Sequence, residues 1–169
     1  MSARIDNDKF AAQAYLYRDS KIPYSKLDCQ AFVECVLHDC GIDHNWRGSN
    51  HMWRDALEWK GSISECMTKY GEIPVGAWVF TVLHDGGEKK RGYSDDEGNA
   101  AHVGIFCGID RGVMHSTKGG VQLGAWPDKR WTHVGLSKYI QYEDDNADII
   151  AEIEKAIEIL ENLKGRFAK

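Results

Sequence analysis

Nothing in the 169-residue chain is apolar for long enough to cross a bilayer; no run approaches the ~20 residues that a spanning helix needs. The opening Met-Ser-Ala-Arg-Ile-Asp-Asn-Asp-Lys-Phe has no apolar signal core, so a product made in the cytoplasm, without a secretory peptide, is expected. Positive charge is not in excess either. With 21 Lys and Arg against 26 Asp and Glu the net charge is −5, which argues against nucleic acid held through its phosphates, and against lipids or anionic wall polymers held by bulk charge. Paired cysteines are missing: the five are an odd number with no Cys-x-x-Cys, so no disulfide framework is expected and the chain reads as folding in a reducing compartment. His38-Asp39-Cys40 with His44 fits no familiar zinc spacing and reads as the polar end of a helix. Gly86-Gly87 lies in no GxGxxG or Gly-Lys-Ser/Thr pattern, so no phosphate cradle is expected. No metal and no cofactor are predicted.

What is present is an ordinary globular composition, which predicts one domain over residues 1–143 and an appended helix over 144–169. Helical spacing predicts a helix over 6–18, a second to about Cys40, a third capped by Ser49-Asn50 and running through Trp59, and a fourth opened by Ser62-Ile63-Ser64 and closed at Tyr70-Gly71. Strand signals follow at 77–83, 101–109, 113–117, 121–125 and 130–136. Helices first, then an antiparallel meander, is the α+β class. Residues 84–99 form a polar loop long enough to act as a lid or binding loop. In the final helix Ile150, Ile153, Ile157 and Leu160 make one apolar stripe, suited either to packing along the domain or to a homodimer.

The stretch Leu27-Asp28-Cys29-Gln30-Ala31-Phe32-Val33 places a cysteine in the first turn of an amphipathic helix, with Asp28 as its N-cap. There the helix dipole and orphan N–H groups favour a thiolate, which predicts a lowered pKa for Cys29. A nucleophilic thiol needs a histidine to take its proton. His102 and His133 lie in similar strand sequences, Ala-His-Val-Gly-Ile and Thr-His-Val-Gly-Leu. His102 is the better base, because His115 follows it on the return strand. An ideal turn at Asp110-Arg111 would set His115 opposite Phe106, four residues along from His102 and roughly 13 Å away. A bulge or looser turn must close that gap.

These segments taken together resemble the NlpC-type family of papain-like cysteine peptidases. Asp28-Cys29, Ile73-Pro74-Val75-Gly76-Ala77-Trp78-Val79-Phe80, His102-Val103-Gly104-Ile105 and Met114-His115-Ser116 follow the family's order across residues 17–120. Gln30-Ala31 stands where the family has Ser-Gly, and Val75-Gly76-Ala77 lacks the family's aspartate; both departures are similar to a phage- and prophage-like subset. The resemblance implies a papain-like fold, with the catalytic cysteine's helix packed on an antiparallel sheet. It implies Cys29 as nucleophile, His102 as base and His115 as the orienting residue. Tyr24, in a Pro-Tyr pair, matches the family's active-site tyrosine by motif, and Tyr17 by distance. The implied substrate is the peptidoglycan stem peptide, cut between γ-linked D-glutamate and the diamino acid, with action on the bacterial wall after lysis or export. An N-acetylmuramoyl-L-alanine amidase or a non-catalytic wall-binding module are the alternatives. Asp28, Trp53, Trp78 and the 84–99 loop are the expected substrate-binding elements.

Overall fold

The computed structural model describes residues 4–142, 153 and 155–159. Within them the chain is a mixed α+β structure with an antiparallel sheet. Its elements are β1 (Ile5–Asp6), α1 (Asn7–Tyr15), α2 (Cys29–Asp39), α3 (Ser49–Asp55), β2 (Leu57–Ser62), α4 (Ile63–Tyr70), β3 (Trp78–Leu83), β4 (Asn99–Phe106), β5 (Val113–Thr117), β6 (Gly120–Gly124), β7 (His133–Ser137) and β8 (Ile140–Gln141). The main sheet runs β2-β7-β3-β4-β5-β6, and β1 pairs with β8 in parallel. The meander is therefore interrupted, because β7 returns to lie between β2 and β3. Side chains alternate across β3. Trp78, Phe80 and Val82 join the core beneath α1, α2 and α3, while Val79 joins a second core with Cys66, Phe106, Trp131 and Val134.

The caps explain several helix boundaries. Asp28 accepts from the Ala31 N–H at 2.8 Å, as its N-cap role requires. Ser62 and Glu65 form a reciprocal capping box that opens α4, and Gly71 closes it at φ 79°. The third helix differs from expectation. It ends at Asp55, and Leu57–Ser62 is an edge strand paired with β7. Ser49 and Asn50 do not cap it. The Ser49 hydroxyl donates to the Ala100 carbonyl at 2.6 Å, and the Asn50 carboxamide accepts from the Ala100 N–H at 3.0 Å. Pairing with β7 outweighs the helical spacing of Trp53 and Trp59, and the two polar side chains dock α3 on β4. Most of the expected 144–169 helix, and with it the homodimer expectation, lies outside the described residues. Positions 153 and 155–159 are helical, and Ile153, Ile157 and Ile159 are exposed. Among the described residues, no helix is long and apolar enough to cross a membrane and no group of His, Cys, Asp or Glu is disposed to hold a metal.

Candidate active site

The two strands that carry His102 and His115 pair at Ile105↔Met114 and Phe106↔Val113. Asp110-Arg111 is not a two-residue turn. The connection is a longer loop, closed by the Cys107 N–H donating to the Gly112 carbonyl at 2.8 Å. The register is thereby shifted by two residues from the ideal hairpin. Continued by one step, it sets His115 opposite Gly104, so His102 and His115 become diagonal neighbours on one face. Their rings meet, with His102 Nε2 and His115 Nδ1 2.9 Å apart. Gly104 makes room between them. A Cβ there would stand 2.6 Å from Val113 Cγ1, 3.0 Å from Trp131 Cη2 and 3.1 Å from His115 Cβ.

Past Ile105 the β4–β5 ladder is no longer paired, and the start of α2 enters the opening. The Ser116 hydroxyl donates to the Leu27 carbonyl at 2.5 Å, tying the approach to α2 onto β5. The Cys29 thiol lies against the Val103 N–H, one residue from His102, and against the Tyr24 hydroxyl and the Gln30 N–H. Tyr17 is turned away: its hydroxyl donates to Asp39 at 2.7 Å, near the far end of α2. Of the two tyrosines, Tyr24 is the one at the thiol. The Cys29 N–H itself has no acceptor among the described hydrogen bonds, as is usual in a first helical turn.

Trp131 completes the site and was not legible as part of it. Its ring stacks on His102 at 5.6 Å and 19°, and meets His115 edge-on at 5.3 Å. It precedes β7, inside a segment whose pattern reads only as a strand, so no sequence signal separates it from other core aromatics. Trp78 and Trp53, expected at the substrate wall, are instead 0% and 4% exposed in the core under α1–α3. Their helical and strand spacing points them inward. His133 packs edge-on to Trp53 and pairs with Thr132 Oγ1 at 2.9 Å, apart from the His102–His115 pair. The 84–99 loop is anchored by Arg54 to Asp95, and carries a short 3-10 turn at Lys89–Arg91.

Burial governs the charges. It raises the Cys29 pKa, against the lowering by Tyr24 and the Val103 and Gln30 N–H groups; the expected lowering does not hold for this 6%-exposed residue. Burial, and then the Arg130 charge, pushes His102 down to about 4. Burial, then His102 and Arg130, pushes His115 down to about 4. The resting pair is thus a neutral thiol and neutral imidazoles. With His102 Nε2 engaged by His115, Nδ1 is the ring nitrogen left for another partner, and where it accepts a proton the Nε2–H donates to His115.

These shifts predict a pH dependence of stability. Between about 4 and 6.5 the unfolded histidines bind protons that the folded pair refuses. Stability from the pair is full above 6.5 and is lost as pH falls toward about 4. Thermal melts at pH steps across that window should show a falling melting temperature, with a shallower slope in His115→Gln. An unchanged slope in that variant would remove the pair from the account.

No family model and no curated protein matches the chain.

Proposed function

We propose that the chain is a papain-like thiol hydrolase that cuts peptide bonds of peptidoglycan stem peptides, between γ-linked D-glutamate and the diamino acid. The observation carrying this reading is the His102–His115 contact at 2.9 Å beside a helix-start thiol, in the motif order the NlpC-type resemblance requires. The wall-peptide substrate rests on that resemblance; the thiol reading is supported by the placement of Cys29 against Val103, one residue from His102.

In this mechanism His102 Nδ1 takes the Cys29 proton as sulfur attacks the scissile carbonyl. The imidazolium formed is held by its Nε2–H bond to His115. The Cys29 N–H, which has no acceptor among the described hydrogen bonds, and the Tyr24 hydroxyl beside the thiol are the donors assigned to the developing oxyanion. Collapse expels the amine, which takes its proton from His102 Nδ1. Water, deprotonated by His102, then attacks the thioester, and cleavage of the C–S bond returns the thiol. Trp131 fixes the planes of both imidazoles and covers them from one side. Because burial keeps the thiol protonated, His102 acts during attack and not by storing a thiolate beforehand.

Digestion of purified peptidoglycan, with mass spectrometry of the soluble fragments, tests the reading. The expected products are fragments bearing a new amino terminus on the diamino acid. Free stem peptides released from the sugar would establish the amidase instead, and an undigested wall would leave neither hydrolase standing.

A further inference from the structure

Away from the thiol, Arg47, His51, Arg91 and Tyr93 line a cavity of about 320 Å³ between the start of α3 and the 84–99 loop. Each of these side chains carries a hydrogen-bond donor, and among the described residues no carboxylate lines the cavity, although the chain as a whole carries −5. Three nearby carboxylates are engaged elsewhere, and a fourth, Glu88 just before the 3-10 turn, is buried outside the lining with its Oε2 unpartnered among the described residues. Asp95 holds Arg54 at 2.6 Å, Glu97 pairs with Lys60, and Asp85 accepts from the Gly87 N–H at 2.9 Å. Arg47 and Arg91 have no ion-pair partner among the described residues, and Lys89 and Lys90 share the 3-10 turn with Arg91.

The wall is held in place. Arg54 donates to Asp95, to the Gly98 carbonyl at 3.0 Å and to the Asn50 carbonyl at 3.1 Å, and its guanidinium lies over the Tyr93 ring at 4.3 Å. The Arg47 N–H donates to His51 Nδ1 at 3.2 Å, leaving His51 Nε2 as its remaining polar atom. The cavity also has a fixed place relative to the thiol. Asn50 docks on Ala100, and Cys29 lies at Val103, three residues further along β4. Strand rise puts about 10 Å between these two anchor points on β4.

We propose that this cavity is an oxyanion subsite, in which Arg47 and Arg91 receive a free carboxylate of the substrate at a distance from the scissile bond. The proposal rests on the wall-peptide reading for its substrate and on the pocket chemistry for its site. The subsite selects acidic stem peptides over amidated ones. It also gives a protein of net negative charge a local means of holding a polyanionic wall, which bulk charge would not.

The test uses the inactive Cys29→Ala chain, with and without Arg47→Gln and Arg91→Gln, and two synthetic stem tetrapeptides that differ only in whether their carboxylates are free or amidated. Calorimetry should give roughly tenfold tighter binding of the free-carboxylate peptide, and the double arginine variant should erase that preference without weakening the amidated peptide. Equal binding of the two peptides, or a preference that survives the double variant, overturns the subsite. If neither peptide binds and the unmodified chain leaves peptidoglycan uncut, the functional reading has failed, and inorganic phosphate decides the pocket. Saturable shifts of the His51 ring resonances that vanish in the double variant retain an oxyanion site; no shift removes it.

Discussion

Replacing Cys29 by alanine is expected to lower cleavage of wall peptides by about 10³-fold or more, while the melting temperature stays within a few degrees. The substitution removes one sulfur atom whose neighbours are the Val103 and Gln30 N–H groups, Tyr24 and Asp28, so the fold has little to lose. The other four cysteines cannot substitute. Cys66 and Cys107 are buried, with burial raising each to about 11, and Cys35 on a later turn of α2 and Cys40 just past its end are raised by burial too. A thiol-directed probe at pH 7 should label Cys29 first, and His102→Ala should slow that labelling until the pH rises past the ordinary thiol range, since burial raises the Cys29 pKa. The catalytic reading fails if Cys29 labels no faster than Cys66 or Cys107, or if the alanine variant still cuts.

How much of this was legible beforehand depended on whether the deciding interaction was local. Asp28 at the start of α2, the Ser62 capping box and Gly71 after α4 are local chemistry, and each stands where the residue pattern put it. Helical spacing carries the third helix through Trp59, yet Leu57–Ser62 is a strand because its fate is decided by β7, some 75 residues away. The antiparallel strands were recognisable, but the insertion of β7 between β2 and β3 was not, since no short-range signal records which strand a returning segment will choose. Trp53 and Trp78 show the same limit from the other side. Aromatic residues near a candidate nucleophile look like a substrate wall, but their periodicity belongs to the core, and burial settled it.

The histidine pair is the instructive intermediate case. Spacing alone, with an ideal turn, kept His102 and His115 roughly 13 Å apart. The loop from Cys107 to Gly112 shifts the register by two residues, an even number, so both side chains stay on one face while their separation along the strand is halved. An odd shift would have sent His115 to the opposite face. The electrostatic expectation failed for a different reason. A helix N-terminus lowers a thiol pKa when the thiol is solvated, but the opening in the β4–β5 ladder that brings Cys29 to Val103 also buries it. The same burial lowers both histidines, so geometry and charge state have one cause.

Gly104→Ala is expected to reduce kcat/KM by about 100-fold and stability by about 1–3 kcal/mol, although the added group is a single methyl and touches neither sulfur nor substrate. Its Cβ would lie 2.6 Å from Val113 Cγ1 and 3.1 Å from His115 Cβ, both short side chains anchored to β5, and 3.0 Å from the buried ring of Trp131. None of these can yield alone: β5 is paired with β4 on one side and β6 on the other, and Trp131 stacks on His102. Relief comes by pushing His115 away from His102, which breaks the 2.9 Å contact and frees the His102 ring to rotate. The rate should therefore fall through kcat with KM little changed, and Cys29 labelling at pH 7 should slow as it does in His102→Ala. Gly124→Ala supplies the comparison, since its Cβ would press on His115 Nε2 at 2.9 Å, toward His102 and not away from it. A Gly104→Ala chain that melts lower yet labels Cys29 at the normal rate would mean the glycine serves packing alone, and the register of β4 against β5 would lose its claim to set the catalytic pair.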